Sequence, residues 1–233
     1  LVVYNKAWEK QCLPDTLRKA VIVVLHKQGC DPLDVRSYRP LSLLNTDYKI
    51  LGKILANRVH RHINSLIHPD HNGFIPGHNT FLNTRRLLAI IHKMSKQNSG
   101  PVAVFLDIEE AFDTLVWEYF HAVMTAIQFG SNYTRWISTI YSRPQTRVKT
   151  GQCISERFTI HRGTLQGCPL SPVILALAME PLASTLRTRA EQWGIDTQGT
   201  HQVISLYADD ALVYLREPTT SLPELMELLD AFG

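Results

Sequence analysis

Residues 204–214 read Ile-Ser-Leu-Tyr-Ala-Asp-Asp-Ala-Leu-Val-Tyr, an apolar stretch with two adjacent aspartates at its centre. The apolar residues on either side predict two short strands joined by a tight turn that carries Asp209 and Asp210. Two neighbouring carboxylates repel each other, and burying them without a partner is costly. A divalent cation is the simplest group that would compensate for their charge.

A third aspartate belongs to the same pattern. The continuous apolar run over residues 102–106 predicts a buried strand, and this strand ends at Asp107. If this strand neighbours the hairpin in one sheet, Asp107, Asp209 and Asp210 meet at one edge. Three such carboxylates could hold two Mg²⁺ ions and leave coordination positions for substrate phosphates, the layout for in-line nucleotidyl transfer. The competing interpretation is that these are ordinary polar residues in two exposed turns.

Composition narrows the class of protein. Residues 1–100 carry 15 Lys and Arg against 6 Asp and Glu, whereas residues 101–233 carry 9 against 15. This asymmetry indicates that the basic region binds polyanions and the acidic region binds cations, although ordinary surface variation would also produce it. The four cysteines form no Cys-x-x-Cys pair, and the histidines lack partners at zinc-ligand spacing. No apolar run reaches the length of a membrane span, so no membrane partner is predicted.

The order of the elements favours an α+β or split βαβ sheet over a doubly wound one. A β-branched run at residues 21–25 predicts a strand, and the loop after it would place Lys27 and Arg39 on the two arms of a hairpin. Pro181 is expected to kink or interrupt the helix that begins at Ser171. The other predicted elements are helices over residues 46–63, 81–96, 115–129 and 222–232, and a hairpin over residues 147–160.

Five stretches carry a resemblance to a known family. They are SYRPLSLLNTDYKILGKILANRV (37–59), NGFIPGHNT (72–80), VFLDIEEAFDTL (104–115), HRGTLQGCPLSP (161–172) and LYADDALVY (206–214). In this order they resemble the reverse transcriptases of non-LTR, LINE-type retrotransposons. The resemblance spans nearly the whole chain and implies a right-hand polymerase fold. Its fingers would lie within residues 1–100 and its palm within 101–233, with a soft boundary near residues 98–101. The antiparallel palm sheet would carry helices on one face, and the thumb would be absent.

The resemblance assigns roles around the metal. Asp107, Asp209 and Asp210 match the catalytic, metal-binding carboxylates of the family, which would hold two Mg²⁺ ions, with Mn²⁺ as a substitute. Phe112 matches the aromatic steric gate, whose ring under the sugar would exclude a 2′-hydroxyl. From the sequence alone, Phe112 would more often be a core residue. Tyr207 would shape the primer terminus, although a tyrosine in a strand is often merely packed.

Other matched positions would hold the nucleotide. Gln166 and Gly167 match the pair that positions the incoming nucleotide and the template, and Gly163 begins the flexible segment that permits a close backbone approach. Lys27 and Arg39 match fingers residues that contact the triphosphate.

Several acidic and apolar residues lie outside these roles. Many relatives carry a basic residue where this chain has Leu165, so a contact with template or nucleotide is not expected there. Glu109 and Glu110 are predicted to be solvated and Asp113 to be structural.

The function implied is RNA-directed DNA synthesis, in which deoxynucleotides are added to a primer 3′-hydroxyl on an RNA template by a two-metal mechanism. The partners would be template RNA, primer DNA and deoxynucleoside triphosphates. The parent chain would include endonuclease and thumb regions and would act in cytoplasm and nucleus within a ribonucleoprotein. One alternative is an inactive or domesticated fragment that only binds nucleic acid. Another is an RNA-templated RNA polymerase, against which Phe112 argues.

Overall fold

The computed structural model describes residues 2–95, 100–108, 110–197 and 199–232. The helices in these ranges are α1 (Val2–Lys10), α2 (Thr46–His60), α3 (Ile63–Leu66), α4 (Thr80–Met94), α5 (Ala111–Thr114), α6 (Trp117–Ala126), α7 (Ser131–Ile140), α8 (Ser171–Thr188), α9 (Ala190–Trp193) and α10 (Pro218–Phe232). The strands are β1 (Lys19–His26), β2 (Tyr38–Leu43), β3 (Val102–Asp107), β4 (Gln145–Thr150), β5 (Cys153–Ile154), β6 (Phe158–Thr159), β7 (Ile195–Thr197), β8 (Thr200–Gln202), β9 (Ile204–Tyr207) and β10 (Asp210–Leu215). The predicted α+β class is therefore confirmed.

The chain divides into two compact units that each combine distant parts of the sequence. The first unit contains residues 1–59 and 110–174, and the second contains residues 60–109 and 175–233. The assignment of fingers to residues 1–100 and palm to residues 101–233 stays a prediction. Residues 98 and 99 of its boundary, like Glu109, lie outside the described residues.

The first unit is built on a mixed sheet in the order β2-β1-β4-β5, with β6 also paired to β4. Strands β1 and β2 are antiparallel, and Leu25 lies opposite Arg39, which confirms the predicted hairpin. Strand β4 runs parallel to β1, a pairing that the sequence did not predict. The predicted hairpin over residues 147–160 is present as β4–β5, and Gly151 in its turn has a φ of +58°.

Helices cover the core of the first unit with apolar side chains at helical spacing. Leu51 and Leu55 of α2, Met124 of α6 and Ile137 of α7 are each at most 4% exposed. Each such side chain contributes roughly 2 kcal/mol through its removal from water. The helix predicted over residues 115–129 was only partly right, because α6 begins at Trp117, and α7 follows directly after Gly130.

The second unit contains a three-stranded antiparallel sheet in the order β3-β10-β9. Ile90 of α4, Ile195 and Tyr214 form a fully buried cluster, and Leu87 packs against it. Helix α8 continues through Pro181 to Thr188, so Pro181 does not interrupt it, and the alternative of a kink there stays a prediction. Several side chains around this helix are buried, and their packing outweighs the backbone hydrogen bond that proline cannot make. They are Ala178, Met179, Leu182 and Ala183. Within the described residues, no helix combines the length and hydropathy needed to cross a membrane.

Candidate active site

The aspartates lie at one end of the sheet in the second unit. Strand β3 ends at Asp107 and β10 begins at Asp210, and the antiparallel register places these two residues directly opposite each other. Directly opposed residues project from the same face of a sheet with Cβ atoms about 5 Å apart. Asp209 occupies the turn that joins β9 to β10. The predicted neighbouring of the two strands is therefore confirmed, and it brings the three aspartates to one edge.

The turn itself is tight, because Tyr207 and Asp210 pair across it and leave only two residues between them. Ala208, the first of those two, has a φ of +57° and is only 4% exposed. A non-glycine residue in this left-handed region is uncommon and is stabilised by the surrounding structure. The position of Asp209 thus depends on what holds the backbone of Ala208 in place.

The charges of the three carboxylates act on one another. The pKa of Asp210 is raised above its usual range, first by partial burial and then by the negative charges of Asp209 and Asp107. Asp107 and Asp210 are nevertheless exposed, so their oxygens are accessible. A cation placed between them would remove the repulsion and favour the ionised forms.

Asp107 and Asp210 are two carboxylates that could take part in binding a cation. In the described part of the chain, no group of three or more His, Cys, Asp or Glu side chains is arranged to hold a metal ion by itself. Mg²⁺ is commonly bound through one or two carboxylates, with water and substrate phosphates completing its coordination. Asp107 and Asp210, opposed and exposed, suit that arrangement.

Tyr207 ends β9 next to the aspartates. It is 45% exposed, and its ring lies 6.4 Å from the ring of Phe74, between centroids. The tyrosine is therefore partly packed and partly accessible, rather than buried as an ordinary strand tyrosine would be.

A second set of predicted residues meets in the first unit, around residues 163–167. Gly163 has a φ of +83°, and a Cβ there would lie 2.5 Å from the Asp113 backbone oxygen. The N–H of Thr164 donates to the Phe112 carbonyl, and its hydroxyl donates to the same oxygen over 3.2 Å. Gly163 and Thr164 thus hold α5, and with it the half-buried Phe112, close to this segment.

The same segment is joined to the sheet. The Ser42 N–H of β2 donates to the Gln166 carbonyl over 2.9 Å. Gly167 has a φ of +106°, and a Cβ there would lie 2.9 Å from the Ser42 oxygen. Gly163 and Gly167 are therefore required by two separate close approaches of the backbone.

The side chain of Gln166 has a fixed partner that the sequence did not identify. Its Nε2 donates to Oδ2 of Asp113 over 2.8 Å. Burial raises the pKa of Asp113, and the hydrogen bond from Gln166 opposes that rise. Both residues line a cavity of about 300 Å³ that also includes Trp117 and Arg162. Asp113, predicted to be structural, thus orients the amide of Gln166 in a cavity wall.

Lys27 and Arg39 lie on the β1–β2 hairpin, as predicted. The Lys27 N–H donates to the Ser37 carbonyl, and Arg39 is exposed on β2. Arg39 lies three residues before Ser42, which is roughly 10 Å along a strand. The hairpin therefore brings the two basic residues near each other, whereas only β2 is bonded to the segment that carries Gln166.

Leu165 is buried, and its carbonyl accepts hydrogen bonds from the Cys168 N–H and the Ser171 hydroxyl. Its side chain belongs to the core, and the absence of a contact with template or nucleotide at this position stays a prediction. Glu110 is exposed, as predicted.

The chain resembles known proteins over most of its length. The reverse transcriptase (RNA-dependent DNA polymerase) family matches residues 25–233. The uncharacterized 149 kDa protein of transposon TX1 from Xenopus laevis is 32% identical over 92% of this chain. The RNA-directed DNA polymerase from mobile element jockey of Drosophila melanogaster is 26% identical over 99% of it. The chain spans only 16% and 25% of the lengths of these two relatives.

Solved structures with the same fold include a telomerase. Apo telomerase from Candida tropicalis, truncated from its C-terminal domain, superposes with a TM-score of 0.61 at 12% identity over 98% of this chain and 51% of the telomerase chain. The telomerase of the same organism in complex with a fragment of telomeric RNA gives a TM-score of 0.62 at 11% identity, over 96% of this chain and 41% of that one. At this level of identity the likeness establishes the fold alone.

Proposed function

This chain belongs to the reverse transcriptase (RNA-dependent DNA polymerase) family, and we propose that it performs the nucleotidyl-transfer step of an RNA-directed DNA polymerase from a non-LTR retrotransposon. The observation that carries the proposal is the pairing of Asp107 with Asp210 across two strands, with Asp209 in the adjoining turn. Enzymes of this family use divalent metal ions, and an open pair of exposed carboxylates suits one.

Asp107, Asp209 and Asp210 would hold the divalent ions. We propose Mg²⁺, with Mn²⁺ as a substitute, because carboxylate oxygens are the ligands that both ions prefer. When bound, two such ions would activate a primer 3′-hydroxyl and stabilise the pyrophosphate leaving group. The protein's own contribution is to fix Asp107 and Asp210 in register and to leave their oxygens accessible.

The first unit would select and hold the nucleotide. Phe112, whose backbone is held by Thr164, would lie under the sugar and exclude a 2′-hydroxyl. Gln166 and Gly167 would position the nucleotide and template. Arg39 and Lys27 would contact the triphosphate, and Tyr207 of the second unit would shape the primer terminus.

The substrates would be template RNA, primer DNA and deoxynucleoside triphosphates. The relatives named as RNA-directed DNA polymerases support the template and the product, and the telomerase bound to an RNA fragment supports an RNA partner for this fold. The fingers and palm of a right-hand polymerase would be the subdomains of this chain. The longer parent protein would supply the thumb and the endonuclease.

Single-nucleotide extension of a DNA primer on an RNA template tests the proposal. The unaltered chain should incorporate a deoxynucleotide in the presence of Mg²⁺, and Asp209→Asn should abolish incorporation. Asp230→Asn, an exposed aspartate on α10, is the matched control and should leave the rate unchanged.

The assay also separates the alternative functions. Duplex binding without metal-dependent incorporation would favour a fragment that only binds nucleic acid. A preference for ribonucleotides would favour an RNA-templated RNA polymerase and would remove the role assigned to Phe112.

A further inference from the structure

Residues 70–73, here called the support segment, lie directly behind the aspartate hairpin in the second unit. A Cβ on Gly73 would lie 2.0 Å from the Ala208 nitrogen and 2.8 Å from its Cα. Real Cβ atoms do not come this close to backbone, so only glycine permits the present approach. The backbone of the support segment is therefore in contact with the residue that sets the position of Asp209.

Backbone hydrogen bonds join the support segment to β9. The Leu206 N–H donates to the Asp70 carbonyl and the Asn72 N–H donates to the Leu206 carbonyl, each over 2.9 Å. His71 pairs with Leu206 as an isolated parallel bridge. The support segment thus acts as a short additional strand on the outer side of β9, and it ends where the catalytic turn begins.

A side-chain clamp reinforces this contact from α4. Nδ2 of Asn83 donates to the carbonyl oxygens of both Asp70 and Leu206, over 3.1 and 3.0 Å. Oδ1 of Asn83 accepts from Arg86, which also donates to the Ser205 hydroxyl of β9. Asn83 therefore holds the two backbones together with a single amide group.

The other end of the support segment is anchored by charge. Arg187 of α8 donates to both carboxylate oxygens of Asp70, over 2.8 and 2.7 Å, and also to Glu180 over 2.6 Å. Asp70 is only 4% exposed. Paired, charge-assisted hydrogen bonds of this kind fix geometry more strictly than a single bond.

The support segment is also costly. His71 is fully buried and Asn72 is 4% exposed, yet their side-chain nitrogen and oxygen atoms have no hydrogen-bond partner among the described residues. Unsatisfied buried polar groups each cost about 1–3 kcal/mol. A segment retained for stability alone would carry apolar side chains at these two positions, so its cost indicates another role.

We propose that the support segment is a positioning element: it sets the backbone of Ala208 and thereby the placement of Asp209 and Asp210 relative to Asp107. The proposal rests on the catalytic role proposed for those aspartates. Gly73 contacts the Ala208 backbone, and Asn83 holds the support segment against β9. The ion pair with Arg187 fixes Asp70, the first residue of the segment. These residues are assigned no contact with the substrate, and they would act through the turn.

Gly73→Ala tests the proposal, and Gly100→Ala is its matched control, because a Cβ on Gly100 meets no described atom within 4 Å. A shift of about 1 Å in a catalytic group lowers the rate roughly a hundredfold, so we expect such a fall in kcat for single-nucleotide addition. The KM for the nucleotide should stay within about threefold. Hydrogen exchange of the amides of residues 206–211 should accelerate in Gly73→Ala and stay unchanged in the control.

A second variant guards against a failure of Gly73→Ala to fold. Asn83→Ala removes three hydrogen bonds without a clash, two of them to the Asp70 and Leu206 carbonyls. It should produce the same pattern with about a tenfold fall in kcat. Its control is Thr84→Ala on the same helix, where the hydroxyl donates only to the Thr80 carbonyl.

The readouts separate the outcomes. Unchanged exchange of residues 206–211 in both Gly73→Ala and Asn83→Ala would overturn the proposal. So would exchange that accelerates evenly across the second unit, with kcat falling only as the folded fraction falls, because that pattern belongs to a purely structural role. If Asp209→Asn retained incorporation, the proposed catalytic function would fail, while the exchange data would still decide whether residues 70–73 hold the hairpin.

Discussion

Each unit contains a glycine that lies against a neighbouring backbone, but the nearby side chains differ: in one unit they are exposed carboxylates, and in the other an amide held by a hydrogen bond. Gly73 lies against Ala208 behind the aspartates, and those aspartates remain exposed or half-exposed. Gly163 lies against Asp113, and there the amide of Gln166, which we propose positions the nucleotide, is itself hydrogen-bonded to the Asp113 carboxylate. Carboxylates that bind a cation need accessible oxygens on a fixed backbone. An amide that positions a ligand needs its side chain held in one orientation. In the second unit the contact fixes the backbone beside the aspartates. In the first unit a hydrogen bond also fixes the Gln166 side chain itself.

The largest effect is expected at the exposed carboxylates. Asp107→Asn removes a charged oxygen ligand and should lower kcat at least about a hundredfold, or roughly 3 kcal/mol in transition-state stabilisation. The free energy of unfolding should stay the same or rise slightly, because Asp107 repels Asp210. Primer extension with thermal unfolding measures both. A destabilised Asp107→Asn with normal kcat would mean that this aspartate is structural.

The next largest effect, on the free energy of unfolding, is expected at Gly163. Gly163→Ala combines a φ of +83° with a Cβ 2.5 Å from the Asp113 oxygen, and should lower the free energy of unfolding by about 3 kcal/mol. Gly29→Ala is the control, since Gly29 has a φ of +81° but no described atom within 4 Å of its Cβ position. It should cost only about 1 kcal/mol. Equal losses in urea unfolding would show that the close approach is unimportant.

Acid should destabilise the second unit through the buried histidine of the support segment. Burial lowers the pKa of His71 from 6.5 to about 4, so between these values the unfolded chain takes up a proton that the folded chain does not. Protonation of His71 in the unfolded chain therefore has no effect on stability above pH 6.5. As the pH falls from 7 to 4.5, it lowers the free energy of unfolding by about 2 kcal/mol.

His71→Gln should remove that part of the acid sensitivity, measured as the difference in unfolding free energy between pH 7 and pH 4.5. His201→Gln, at an exposed position on β8, is the control and should retain it. An unaltered pH difference in His71→Gln would contradict the assigned cause.

The smallest effect is expected at the carboxylate that orients Gln166. Asp113→Asn keeps an oxygen that can accept from Nε2 but loses the negative charge, so the hydrogen bond weakens rather than disappears. The KM for the nucleotide should rise about threefold with little change in kcat, equivalent to roughly 0.7 kcal/mol. Steady-state kinetics of Asp113→Asn and Asp107→Asn measures both effects. A fall in kcat in Asp113→Asn as large as in Asp107→Asn would mean that Asp113 does not act only by orienting Gln166.

The local parts of this structure could be predicted from the sequence. The aspartate hairpin and the strand that ends at Asp107 follow from short apolar runs and a tight turn, whose signals lie within a few residues. The same holds for the β1–β2 hairpin that carries Arg39. The neighbouring of β3 and β10 required an assumption, since nothing in either run specifies its partner.

The parts that could not be predicted depend on distant residues. Asn83 and Leu206 are 123 positions apart, and Asp70 and Arg187 are 117 apart. A single sequence has no local signal for such pairings. The interruption expected at Pro181 is wrong for a related reason, because the tertiary packing of α8 outweighs the local preference of proline. The hydrogen bond between Asp113 and Gln166 joins residues 53 positions apart, so it too has no local signal.

The most direct test of the central claim is a crystal structure of the chain with a primer–template duplex, a deoxynucleotide and Mn²⁺, read from the anomalous scattering of manganese. We expect anomalous peaks in contact with carboxylate oxygens of Asp107, Asp209 and Asp210, and their loss in Asp107→Asn. Peaks elsewhere, with none at these aspartates while the nucleotide is bound, would contradict the proposed active site.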